Sequence, residues 1–491
     1  MPGLVPGIHE LLSGIEASMD HRDKPGDDKR GYCSVNLTSS ASQSVILYKD
    51  VLRLAWPASI AASVTPLLGA IDVWALGQST RPLDIAAIGL GSVIFSLAYW
   101  TFGFIRMSVA GLTAQAAGAG DEREARAALM RGALLGGAIG LVLVVFQTAL
   151  GALSFKALAI GSDATPETFA AARLYYDIRI WGAPFALASY AAFGWLTARG
   201  RTDYLMIASV FMTALNAVLD YWFVVHMNWG AGGVAAGTLI AEIAGFIACA
   251  VFVALILRSN GGLDTHWSFA ALLDRAKLAR TISVNRDIFI RTVLLAFSFA
   301  WFVQRGGAFG DVTLAANQTL LQLFLFTGLA LDGTAIAAET LVGGAIGDPD
   351  AVRGRARYND AVKKTFVIAM LAALFFAALY GMFGEGLIAF LAKDEAIREA
   401  SARYLPWVIA SPLIVVIGFQ LDGIFIGATR AQEMRDSMIL SAPVFLIATL
   451  MLQPQFGNHG LWAAFSLYFL LRAVTLGFYT PRIARSFAAT S

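Results

Sequence analysis

Charge is scarce in this chain. Only 14% of its 491 residues are Asp, Glu, Lys or Arg, against about 25% in soluble globular proteins. A water-facing surface of ordinary size is therefore excluded. Cysteine is scarcer still: Cys33 falls in a polar stretch and Cys249 in an apolar one, so no disulfide framework is implied. No G-x-x-x-x-G-K-[ST] loop is present to cradle a nucleotide, no H-E-x-x-H is present to hold zinc, and the five histidines follow no metal-ligand spacing. ATP-driven pumping and the common hydrolytic chemistries lose their carriers, which points to a non-enzymatic protein with no cofactor. The formal net charge of +2 is too small to suggest a nucleic-acid partner.

What is abundant is apolar sequence, 57% of the residues, with a mean hydropathy of +0.66. Apolar segments lie at about 51–77, 84–112, 127–153, 170–198, 203–226 and 233–257, and again at 287–309, 312–345, 362–384, 399–427, 434–453 and 459–481. Each approaches or exceeds the ~20 residues needed to cross a bilayer as a helix. The reading is an all-α integral membrane protein of twelve spans, with the lipid bilayer as its main partner. Residues 1–45 contain no uninterrupted apolar core of a signal peptide and are expected to be a disordered tail. Their wording, MPGLVPGIH and DKPGDD, is similar to translated intergenic repeat, as if the natural start lay further downstream.

Lys and Arg concentrate after the even-numbered spans, as at Arg123, Arg126 and Arg131, at Arg199 and Arg201, and at Arg353, Arg355 and Arg357. The positive-inside rule then places both termini in the cytoplasm, and a bacterial inner membrane is the expected location. Four features recur at almost constant offset. AAGAGD ending at Asp121 answers GGAIGD ending at Asp348, 227 residues on; Tyr176 and Pro184 answer Tyr404 and Pro412; ARGR answers GATR; and Gly233 answers Gly460. The chain reads as two parallel copies of a six-helix unit related by a pseudo-two-fold axis along the membrane normal, with a substrate cavity between them. The expected division is a first lobe over 46–257, a linker over 258–284, a second lobe over 285–484 and a short tail over 485–491.

The spans contain acids, which are costly in hydrocarbon and so face protein or water. Asp72 lies in the first span, at the end of a stripe of small residues comprising Ala58, Ala61 or Ala62, Thr65 and Gly69, with Pro57 and Pro66 able to loosen the helix. Asn216 and Asp220 share one face of span five, Thr238 and Glu242 one face of span six. With Asp72 they form one candidate cluster that would bind a proton or a cation; the competing reading is plain interhelical hydrogen bonding. In the second half, Asn317, Asp332, Glu339 and Asp422 either line the cavity or lock helices together. Arg173 with Asp177, and Asp287 with Arg291, are expected as ion pairs four residues apart.

IDVWALGQ around Asp72, LTAQAAGAGD at 112–121, YYDIRIWGAP at 175–184, NAVLD at 216–220, NRDIFIRT at 285–292, LAAN at 314–317 and LDGTAIAAETLVGGAIGD at 331–348 together resemble the multidrug and toxic compound extrusion (MATE) family, and within it the DNA-damage-inducible F branch. The resemblance spans about 45–485 in order. It implies a twelve-helix, two-lobe secondary antiporter that exports organic or cationic small molecules in exchange for H⁺ or Na⁺, with no further metal, acting as a monomer. Carried over by position, the coupling network is Asp72, Asn216, Asp220 and Thr238, with Pro57 as the bending point of the first helix. GQSTRPLD after Asp72 and ARGRTD at 198–203 depart from the family wording, in loops only. A lipid-linked sugar flippase of the same architecture and a non-transporting membrane scaffold remain as alternatives.

Overall fold

The computed structural model describes residues 45–77, 82–160, 164–259 and 272–487; the expected disordered tail and Cys33 lie outside them. The described residues are helical throughout and contain no strand. In chain order the helices are α1 (Tyr48–Gly77), α2 (Pro82–Phe102), α3 (Phe104–Gly118), α4 (Glu122–Val145), α5 (Gln147–Ala159), α6 (Pro166–Arg179), α7 (Ala183–Ala198), α8 (Thr202–Tyr221) and α9 (Gly230–Ser259), then α10 (Arg275–Gly307), α11 (Asp311–Ile346), α12 (Ala351–Leu391), α13 (Glu395–Gly427), α14 (Ala431–Phe456) and α15 (Asn458–Ser486). Among the described residues, ten continuous helical stretches are long and apolar enough to cross a membrane. The other two crossings are α1, whose thirty residues are predominantly apolar, and the broken pair α6–α7.

Breaks and starts follow from local chemistry. Ile180–Gly182 forms a single 3₁₀ turn between α6 and α7, where Pro184 lacks the N–H an unbroken helix would use. Side-chain oxygens of Asp121, Thr165, Asp274, Asp350 and Asp394 cap the first turns of α4, α6, α10, α12 and α13, each satisfying backbone donors that a helix leaves orphaned. α10 therefore begins at Arg275, inside the expected linker. α8 ends in a π turn over Trp222–His226, directly after Asp220, and such turns recur at functional positions.

The two halves repeat one another. Gly200, between α7 and α8, has φ +70°, and Thr429, between α13 and α14, has φ +53°. Leu141, Val145, Leu153, Phe375, Phe383 and Phe478 point outward and exposed, a surface suited to lipid rather than water.

α1 belongs to both halves. Its first turns, with Val51, Leu54 and Ala55, are built into one apolar core with Ala337, Val342, Ile424 and Leu476 of the second half. Its far end, with Leu76, packs among Ile88, Tyr175 and Val234 of the first. Ser59 Oγ donates to the Ala330 carbonyl at 2.8 Å across the same junction.

Candidate functional site

Asp72 is 2% exposed, and Asp220, Asn216 and Thr238 are fully buried. Asn216 Nδ2 donates to Thr238 Oγ1 at 3.2 Å, which donates in turn to the Val234 carbonyl at 2.9 Å, tying α8 to α9. The Asp220 carboxyl lies on the backbone of α9 at Gly237, where a Cβ would fall 2.2 Å from its Oδ1. Asp220 and Asn216 stand close enough to Asp72 to exchange hydrogen bonds with it. Yet no described donor meets Asp72 Oδ1, Asn216 Oδ1 or either Asp220 oxygen. Ionised carboxylates only accept hydrogen bonds, so a facing pair is completed by a proton on one of them or by a cation between them.

Glu242 belongs to a neighbouring group. It accepts from Tyr99 Oη at 3.4 Å and pairs with Arg179 at 3.5 Å. The Arg179 guanidinium is walled by aromatic rings, 4.7 Å from the centroid of Phe95, 5.6 Å from Tyr175 and 5.9 Å from Tyr99, and donates to the Tyr175 hydroxyl. Sequence reasoning gave Arg179 no role. The signal was present in YYDIRIWGAP, where the arginine sits four residues after Tyr175 and just before the helix break.

The small-residue stripe leading to Asp72 is only partly packed. Ala58 and Ala61 are buried, but Gly69 is exposed with nothing near its missing side chain; Thr65 lies among side chains outside the description. α1 is continuous through Pro57.

The second-half candidates separate. Asn317 holds helices together, exchanging hydrogen bonds with Asn458 at 2.8 and 2.9 Å and accepting from Trp462 at 2.9 Å. Glu339 is buried and meets Arg106 of α3 at 3.5 Å, an ion pair between the halves. Asp332 is half-buried on the same helix. Asp422 is shared by Arg291 and Arg472. The expected pairing of Asp287 with Arg291 is not what forms. Asp287 accepts from Arg286 at 3.0 Å and Arg435 at 2.8 Å, while Arg291 turns to Asp422. In a buried helix the partners presented by packed neighbours replace the one along the helix. The pair Arg173–Asp177, on an exposed face, forms as expected at 3.0 Å.

Asp422→Asn would leave two buried guanidiniums without their shared counter-ion. Breaking a buried pair costs about 3–5 kcal/mol, so this variant is expected to unfold at markedly lower temperature in detergent. An unchanged melting temperature would show that the triad carries little stability.

Among the described residues, no three of His, Cys, Asp or Glu gather closely enough to hold a metal ion. The MatE family model matches residues 57–222 and 288–452, one copy in each half. The chain belongs to the MatE family. DNA damage-inducible protein F of Escherichia coli is 33% identical over 465 residues, 93% of this chain and 96% of that protein. Multidrug export protein MepA of Staphylococcus aureus is 20% identical over 85% of this chain and 90% of its own length. A MOP superfamily transporter from Pyrococcus furiosus has the same fold, with a TM-score of 0.79 at 17% identity, covering 93% of this chain and 99% of that one. A MATE structure in complex with MaL6 superimposes equally well, TM-score 0.79 at 18% identity, over 92% and 99%. The MatE fold is thus a two-lobe bundle of twelve crossings, and the chain is a multi-pass membrane transporter.

Proposed function

We propose that this MatE protein is a proton-coupled antiporter that exports organic, chiefly cationic, small molecules by alternating access between its lobes. Asp72, Asn216, Asp220 and Thr238 would form the coupling network, and lobes over 46–257 and 285–484, joined through 258–284, would be its moving parts. The carrying observation is the facing Asp72–Asp220 pair, buried and short of donors, on a helix whose other end is built into the opposite lobe. Loading a proton from outside relaxes the hold of Asp220 and Asn216 on Asp72. α1 then bends near Pro57, and the first-lobe cavity shrinks and expels its contents. Proton release to the cytoplasm resets the lobe. MepA, by its name, exports multiple drugs, which supports a broad substrate range.

The driving force suffices. One charge falling through about 100 mV releases about 2.3 kcal/mol, enough to sustain roughly a fifty-fold gradient at about 1.36 kcal/mol per decade. A flippase reading fits less well: the interior arginines Arg106, Arg179, Arg291 and Arg472 meet Glu339, Glu242 and the shared Asp422, and the first lobe adds the buried acids Asp72 and Asp220, so no cationic chamber is left for a lipid-linked phosphate. On this reading the protein lies in the inner membrane of a bacterium as a monomer, with both termini cytoplasmic. Purified protein in sealed vesicles should expel a fluorescent cationic dye under an imposed pH gradient and not under a Na⁺ gradient alone. Dye movement indifferent to both would remove the antiport reading.

A further inference from the structure

The first lobe holds a permanent cation beside its acids. Arg179 reaches the interior from the end of α6, is 9% exposed, and is held by Glu242, by the Tyr175 hydroxyl and by three aromatic walls. Phe95 and Tyr99 come from α2 and Glu242 from α9, so the guanidinium is fixed from three sides. Glu242, which holds it, lies one turn along α9 from Thr238, the partner of Asn216, so the guanidinium and the Asp72–Asp220 pair occupy neighbouring turns of the lobe interior, with Tyr99 and Tyr190 as the other titratable groups around it. The oxygens of Asp72, Asp220 and Asn216 that meet no described donor, with Thr238 Oγ1 beside them, are the kind of oxygen set a small cation uses.

We propose that Arg179 decides the coupling ion: its fixed charge, held beside the Asp72–Asp220 pair, leaves the proton able to load that pair and excludes Na⁺. This rests on the antiport reading above. Glu242, at 3.5 Å, offsets part of the guanidinium's charge, and the part left over weakens the binding of any added cation by the same Coulombic mechanism. The starting affinities differ, however. Two carboxylates forced together hold a proton tightly, so a penalty of a decade or so leaves proton binding in the physiological range. A Na⁺ ion must give up its hydration shell for a few side-chain oxygens, and the same penalty removes it at cellular concentrations. Because Arg179 is held by Glu242 and the rings, it cannot swing away to make room.

The test uses the full-length protein in detergent at pH 8, with thermal unfolding followed in NaCl and in choline chloride at equal ionic strength. A bound ion stabilises the folded state by mass action. The wild type is expected to melt at the same temperature in both salts. Arg179→Gln should gain a saturable, Na⁺-specific rise, its apparent Na⁺ affinity improved roughly tenfold or more. Arg179→Lys should remain indifferent to Na⁺, and adding Asp72→Asn to Arg179→Gln should abolish the gain. A folded Arg179→Gln protein blind to Na⁺ overturns the proposal. So does a Na⁺-specific shift in the wild type, a result that needs no variant to fold. These binding measurements stand apart from the dye experiment: a wild type that ignores both gradients there would fail as an antiporter whatever its ion preference here.

Discussion

Asp72→Asn is expected to reach the membrane in normal amount and to lose pH-driven dye efflux by about tenfold or more, the effect of at least about 1.4 kcal/mol on the cycle. The substitution keeps shape and hydrogen-bonding capacity, so the packing of α1 against α8 and α11 should survive. What it removes is the change of charge. Asparagine can donate permanently to Asp220, which mimics the proton-loaded pair and leaves nothing for an external proton to alter. Asp220→Asn should be comparably impaired, because its carboxyl is the other half of the pair and is positioned by the bare backbone at Gly237. Thr238→Ala should be milder, since it removes one hydrogen bond to Asn216, typically worth about 0.6 kcal/mol between membrane helices. Vesicle efflux under a fixed pH gradient, normalised to protein incorporated, measures all three. Full activity in Asp72→Asn would discard the coupling role assigned to α1.

Much of this architecture was legible because a membrane leaves few choices. Apolar runs of spanning length gave the crossings, and the constant offset between Asp121 and Asp348 or Gly233 and Gly460 gave the two halves. Helical spacing put Asn216 with Asp220, and Thr238 with Glu242, on common faces. What spacing could not give was the partner across an interface. Arg291 lies four residues from Asp287 and in isolation would pair with it, but tertiary packing sends it to Asp422. For Asn317, spacing left cavity lining and helix locking both open, and only the packed neighbours Asn458 and Trp462 show the second. Arg106 gave no sign of meeting Glu339, because the two are brought together only by the junction of the halves. Most of the setting of Arg179 was hidden for the same reason: Tyr175 is one turn away on its own helix, but Phe95, Tyr99 and Glu242 come from two helices distant in sequence.

The junction of the halves at the end bearing the arginine-rich loops yields the second large effect. There α3 and α11 touch backbone to backbone. A Cβ on Gly118 would lie 2.3 Å from the Gly344 carbonyl oxygen, and one on Gly347 2.0 Å from that of Gln115. Gln115 bonds the Gly427 carbonyl at 3.0 Å and Thr429 Oγ1 at 3.1 Å, while Arg280 donates to Gln115 at 2.9 Å and to Thr429 at 2.7 Å. Contacts this close admit no side chain, so Gly118→Leu is expected to hold these helix ends apart and to reduce efflux at least as severely as Asp72→Asn. A cysteine at Ala114, 1% exposed beneath Gly343, reports the change in a chain lacking Cys33 and Cys249. It should resist a water-soluble maleimide in the parent and react in the Gly118→Leu background. Thr429→Gly separates the latch from simple packing. A β-branched residue in the left-handed region carries about 1–3 kcal/mol of strain, which glycine removes, but glycine also loses more chain entropy on folding. Thermal stability should therefore hardly move, whereas maleimide reactivity at position 114 should rise, because the hydroxyl that receives both Gln115 and Arg280 is gone. If labelling stays silent in both backgrounds while efflux persists, the glycine contacts are packing alone and the two lobes part elsewhere.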